Sequence, residues 1–144
     1  MNWIRNNSDI LLRLDPGDEI HSSIQLASKE LGINSAAITS GIGRIYNTDI
    51  GYLGADSIYQ HNLIKENVEL LSLQGNLAIL DGEPFTHIHI VCNSDDHVVH
   101  GGHLFSAVVA VTAEIHLREF PGITIERCNI PNSEFKSLDL RGRD

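Results

Sequence analysis

Five of the eight histidines in this 144-residue chain, His87, His89, His97, His100 and His103, fall within one short stretch. Imidazole ligates divalent transition metals and exchanges protons near neutral pH, and spacing decides which use is open to it. In a strand, residues i and i+2 share a face about 6.5–7 Å apart. His87 and His89 therefore project together, while Ile88, Ile90 and Cys92 project to the other side. That other side is uniformly apolar and is the expected core side. The two rings leave the core as a pair and can converge on one cation at Zn–N distances of about 2.0–2.1 Å, with zinc then needing one or two further ligands.

Downstream, Asn93-Ser94-Asp95-Asp96 is a turn sequence, so the chain is expected to reverse and return beside the first strand. Gly101-Gly102 then permits a tight path that brings His103 back over the pair. The expected metal ligands are His87, His89 and His103, with open positions for water or substrate; His100 and Glu114 are further candidates. An all-imidazole set suits zinc, and iron, nickel, cobalt and copper are compatible with it. The competing reading is a pair of exposed or hydrogen-bonded histidines. His97 reads as a solvated loop residue, His21 and His61 as surface groups, and His116 as a strand-face residue without special role. A cupin would also offer His-x-His, but it expects a glutamate soon afterwards, where this chain has Val91-Cys92-Asn93-Ser94.

Other chemistry is sparse. Ser40-Gly41-Ile42-Gly43 is not a nucleophile elbow, and the sequence has no phosphate-binding or dinucleotide loop. The glycines predict a bend or close packing, Arg44 a surface cation rather than an anion holder, and Glu83 a turn carboxylate.

The elements that must position the cluster follow from periodicity. Residues 10–14 read as a strand closed by Asp15-Pro16-Gly17. Ile20, Ile24, Ala27 and Leu31 mark one helix face, with Asp18 as the expected N-cap, Glu19 in the first turn and Gly32 just past the end. Beyond Gly32 the pattern is of short strands. One runs from Ala36 into a glycine bend near Gly43, and a hairpin is expected around residues 50–59. Residues 68–80 read as two strands meeting at Gly75. Residues 87–92 and 108–120 alternate, the latter with Val109, Val111, Ala113, Ile115 and Leu117 on one side. A last strand is expected over 123–127 and an irregular tail beyond Pro131. One main helix near the N-terminus followed by strands predicts an α+β fold with a largely antiparallel multi-stranded sheet, forming a single domain over 1–144.

Charge limits the partners. Lys+Arg is 10 against Asp+Glu 19, a net −9, which opposes strong unspecific binding to duplex DNA. The cations are scattered; only Arg141-Gly142-Arg143 clusters, flanked by Asp139 and Asp144. Cys92 and Cys128 form no Cys-x-x-Cys pair and read as reduced thiols. The absence of a long apolar run and of a secretory leader predicts a soluble cytoplasmic domain with no membrane partner.

Ser40-Gly41-Ile42-Gly43, the Gly-Glu-Pro-Phe-Thr-His-Ile-His run from Gly82 to His89, Gly101-Gly102-His103-Leu104 and Thr112-x-Glu114 occur in an order that resembles the plants-and-prokaryotes conserved domain. That module accompanies AT-hook motifs in plant nuclear proteins and stands alone in bacteria and archaea. The resemblance spans roughly Ile10 to Cys128. It implies an α+β antiparallel fold, a homotrimer, and a metal held by His87, His89 and His103 near a subunit boundary. Prokaryotic members are commonly labelled DNA-binding. His100 stands where the resemblance expects an aromatic or apolar residue. Arg141-Gly142-Arg143 precedes Asp144 and is not an AT-hook.

Three functions compete. The first is a trimeric metal-binding domain. The second is a metal-dependent enzyme acting on a small molecule, with Glu114 as candidate general base. The third is a DNA-binding protein, which the net charge disfavours.

Overall fold

The structure, a computed structural model of the chain, describes residues 1–131 and 135–140; Arg141-Gly142-Arg143 lies outside them. Helix α1 (Ile20–Leu31) forms where the apolar spacing places it and buries Ile20, Ile24 and Ala27. Gly32 ends it in the left-handed region at φ 67°. The N-cap is Glu19 rather than Asp18. The Glu19 carboxylate accepts hydrogen bonds from the backbone amides of His21 (3.1 Å) and Ser22 (2.8 Å). Asp18 instead accepts from the Asp15 amide at 2.8 Å and pairs with the N-terminal ammonium of Met1 at 3.1 Å.

The strands are β1 (Asn2–Asn6), β2 (Asp9–Leu14), β3 (Ala36–Leu53), β4 (Tyr59–Ile64), β5 (Val68–Leu80), β6 (Glu83–Asn93), β7 (Val99–Glu119), β8 (Glu126–Asn129) and β9 (Lys136–Asp139). They form one sheet in the order β1-β2-β7-β3-β5-β8-β9, with β4 on β3 and β6 joined to both β5 and β7. Pairing is antiparallel except for the single parallel contact Ile79–Glu126 between β5 and β8. Because β6 pairs with β7 as well as β5, the ladder β3–β5–β6–β7 closes on itself. Its interior holds Ile45, Leu73, Leu77, Ile88, Leu104 and Ile115. The fold is α+β and mostly antiparallel with one helix, as the sequence predicts.

Local expectations fail where long-range pairing overrides pattern. The strand from Ala36 does not stop at Gly43; it continues to Leu53, with register shifts against β7 at 38/40 and 43/45 absorbing the irregularity. Residues 68–80 are one strand, not two. Gly75 is needed because a Cβ there would lie 2.0 Å from the His87 carbonyl oxygen on β6. Val111 is exposed although its alternation partners Val109, Ala113, Ile115 and Leu117 are buried, because β7 is irregular between its pairings at 109 and 113. The last predicted strand is displaced to β8, and the tail adds β9, antiparallel to it. Among the described residues, no helix is long and apolar enough to cross a membrane.

Candidate metal centre

Strand β6 presents Thr86, Ile88, Ile90 and Cys92 to the core and Phe85, His87 and His89 to the opposite face. The alternation read from sequence is therefore the alternation of the fold, and the two rings leave the core as a pair. The third ring arrives by register: His103 of β7 is the direct cross-strand partner of His89. Facing residues in an antiparallel pair share a face with Cβ atoms about 4.5–5.5 Å apart.

The three rings converge. His87 Nε2 and His89 Nε2 lie 3.2 Å apart. Ring centroids are 5.1 Å apart for His87 and His103 and 5.3 Å for His89 and His103. One nitrogen from each residue lies within 4.8 Å of the other two. Among the described residues this is the one group of metal-ligating side chains, and it contains neither carboxylate nor thiolate.

The electrostatics match the geometry. His103 is pushed down to about 4, first by burial and then by the neighbouring His87, His89, His21 and Arg127. His87 is lowered as well, chiefly by burial and next by Arg127. Both rings are thus neutral at pH 7, the form that ligates metal. His103 Nδ1 is buried without a hydrogen-bond partner, and such a nitrogen is costly unless something occupies its lone pair or takes its proton. Three imidazoles on a rigid pair of strands, one with an orphaned nitrogen, fit a divalent transition metal.

The glycine pair does not act as a hinge. Gly101 and Gly102 sit inside β7, opposite Val91 and Ile90. Gly102 is required because a Cβ there would lie 2.6 Å from the Gly51 carbonyl oxygen on β3. The reversal is made at residues 94–98, where His97 adopts φ 63° and its amide donates to the Ser94 carbonyl at 2.9 Å.

The remaining candidates lie elsewhere. His100, opposite Cys92, has Nε2 3.4 Å from Ser94 Oγ and lines a groove with Ile50, Gly51, Tyr52, Gln60 and Asn62. Glu114 is exposed between Arg13 of β2 and Ile42 of β3. It stands eleven residues beyond His103 along β7, about 36 Å of extended chain at about 3.3 Å per residue. The structure does not bring it to the three rings within one chain. Arg44 pairs with Glu69 and Asp95, and Glu83 with Lys29 at 2.6 Å, as surface ion pairs. His116 lies 2.6 Å from Thr39 Oγ1, and His61 faces Asp49 Oδ2 at 3.0 Å while stacking on Phe105 at 4.1 Å.

Sequence reasoning missed the surroundings. Tyr59 and Phe105 flank His103 at ring-centroid distances of 5.2 and 4.8 Å. His21 is half-buried rather than a surface group. Its Nε2 lies 3.1 Å from the Leu104 carbonyl, which can only accept, so Nε2 carries the proton. Nδ1 then accepts from the Thr86 hydroxyl at 2.6 Å, and Gln25 donates to the same oxygen at 3.2 Å. His21 thereby ties the helix to the residues next to His87 and His103. Its one sequence signal was a helical histidine one position beyond the apolar face.

Burial lowers the pKa of His21, against smaller opposing effects of the Leu104 carbonyl and Glu19. The unfolded chain takes up this proton near the ordinary histidine value of about 6.5, whereas the folded protein resists it. The His21 contribution is therefore full above that pH and lost as pH falls below it. In chelator-treated protein, His21→Gln is expected to cost about 1–3 kcal/mol at pH 8. The gap from the unsubstituted protein should shrink between pH 6.5 and pH 5, measured by urea unfolding; a gap constant with pH would contradict the assignment.

Comparison with known proteins identifies the fold. The model of the Plants and Prokaryotes Conserved (PCC) domain matches residues 5–121. A plant- and prokaryote-conserved protein from Pyrococcus horikoshii is 37% identical, with TM-score 0.80 over 90% of this chain and 88% of its own. A metal-containing protein from Archaeoglobus fulgidus is 35% identical, with TM-score 0.82 over 90% of this chain and 91% of its own. A presumed DNA-binding protein from Bacteroides thetaiotaomicron shares the fold at TM-score 0.88 and 23% identity, over 96% of each chain. No curated protein sequence matches the chain. With most of its length matched by the family model and the three-histidine strand pair in place, the chain belongs to the Plants and Prokaryotes Conserved domain family.

Proposed function

We propose that this chain is a metal-binding domain that works as a homotrimer in the cytoplasm, with His87, His89 and His103 holding zinc or a similar divalent transition metal. The observation that carries the reading is the convergence of three imidazole nitrogens within 4.8 Å on the outer face of β6 and β7. When bound, such an ion supplies a Lewis-acid position open to water or a small ligand. The residues of the chain do the rest: His21 fixes the backbone beside two ligands, and Tyr59 and Phe105 wall the His103 side.

Self-association is supported by the apolar surface that β5, β6 and β7 leave uncovered, where Leu71, Val91 and Val99 are 47%, 39% and 61% exposed on neighbouring strands. Cys92 and Cys128 are free thiols, which accords with a reducing compartment. The A. fulgidus relative is described as containing metal.

The enzyme reading loses its candidate general base within one chain, since Glu114 lies far along β7 from the rings. For DNA binding the charge is adverse. Arg5, Arg13, Lys29, Arg44, Arg118 and Lys136 are each paired with a carboxylate, and a trimer would triple the net −9.

Metal analysis after zinc loading and desalting tests the proposal, with about one ion per chain expected for a three-histidine site. Less than about a third of an ion per chain would defeat it, since a site with such ligands retains zinc. Light scattering on the same sample should give three times the 15.9-kDa chain mass; a monomer would remove the trimer.

A further inference from the structure

We propose that Arg127 and the three-histidine centre together form a binding site for a small oxyanion, gripped by the guanidinium on one side and the metal on the other. The inference rests on the metal reading above and adds the class of ligand. It stands on where Arg127 comes to lie. Phe85 and His87 are successive outward residues of β6, and Asn76 of β5 is the cross-strand partner of His87. Strand β8 reaches this face through the Ile79–Glu126 contact. From there the Arg127 Cζ sits 5.1 Å from the centre of the Phe85 ring, and Nη2 donates to Asn76 Oδ1 at 2.7 Å. The guanidinium is thus packed over two immediate neighbours of His87.

The state of that guanidinium points to a ligand. Its hydrogen bonds run to neutral oxygens, Asn76 Oδ1 and the Lys136 carbonyl at 3.3 Å. Nε is buried with no partner. A guanidinium has five N–H donors in a planar fork that matches the paired oxygens of carboxylate or phosphate. Among the described residues, Asn76, Gln74 opposite His89 and the imidazoles bring no negative charge, and Glu126, next to Arg127 on β8, leaves the strand on the other face by alternation. A divalent ion on three neutral ligands beside this cation leaves several positive charges in one place, within a chain of net −9. An anion with two oxygens would answer both.

The test uses full-length protein loaded with cobalt(II), whose visible absorption reports ligand exchange at the metal. Metal content and circular dichroism are recorded before any anion is added, so a chain that holds no metal refutes the metal reading at that step. Inorganic phosphate and acetate are then titrated separately; the tighter binder identifies the oxyanion class. Binding is expected in the loaded protein, and Arg127→Gln should weaken it about tenfold or more at unchanged metal content. Arg127→Lys, which keeps the charge and loses the fork, should weaken it about three- to tenfold, and it decides the matter if the Gln variant misfolds. Phosphate binding by calorimetry should be at least about tenfold weaker in metal-free protein. Equal binding by the variants, equal binding without metal, or no binding of either anion to the loaded protein overturns the proposal.

Discussion

Replacing His87 and His89 together by alanine is expected to take bound zinc from about one ion per chain to background while leaving the fold in place. The reasoning is local. Both side chains stand on the outer face of β6, His89 is exposed, and the core side of the same strand is untouched. The substitutions remove two of three imidazoles and leave His103 alone, which cannot retain an ion through desalting. Removing the exposed His89 side chain costs about 0.5 kcal/mol and the half-buried His87 about 1 kcal/mol, neither enough to unfold the chain. Thermal unfolding separates the two effects. Zinc at about a thousand times its dissociation constant should stabilise the unsubstituted protein by about 4 kcal/mol, which for a chain of this size raises Tm by about 10 °C. The double variant should show no zinc-dependent shift. If it keeps its metal, the ligands lie elsewhere and the proposed function falls with them.

Gly75→Ala should have the largest effect on stability. The added Cβ would lie 2.0 Å from the His87 carbonyl oxygen and 2.9 Å from its carbonyl carbon, both backbone atoms that no side-chain rotation can clear. Strands β5 and β6 must part at the residue that carries the first ligand. Overpacking of this kind typically costs about 1–3 kcal/mol, and backbone against backbone belongs at or above the top of that range. A fall in Tm of about 6–12 °C in metal-free protein is expected, together with weaker zinc binding because His87 moves with its carbonyl. An unchanged Tm would show that the strands do not approach so closely.

These two positions also show what the sequence could and could not disclose. His87 and His89 were legible because a strand's two-residue period is local, and Ile88, Ile90 and Cys92 identify the core side without knowledge of any partner. The helix was legible for the same reason, through Ile20, Ile24 and Ala27. His103 was found through the turn at residues 93–96, but the reason offered for it was wrong: pairing with His89 places it, not the flexibility of Gly101 and Gly102. Gly75 was misread because its need arises from the backbone of His87, twelve residues further along the chain. Val111 was grouped on one side with Val109 and Ala113 because alternation assumes an unbroken register, and β7 slips against β3. Arg127, Asn76 and Tyr59 were invisible because strand order, a property of the whole sheet, brings them to the rings. Glu114, by contrast, was a further candidate for the site, and extended geometry carries it away.

The closed ladder has one narrow seam. Strand β6 meets β7 through five residue pairs, from His89–His103 to Asn93–Val99, whereas it meets β5 along nearly its whole length. The candidate ligands straddle the end of that seam, so an ion there would rivet two strands whose own hydrogen bonds are few. Its departure would be felt first as breathing of the barrel wall. Amide protons of residues 89–93 and 99–103 would then trade with deuterium faster, while those of β2 against β7, on the far side, would keep their pace.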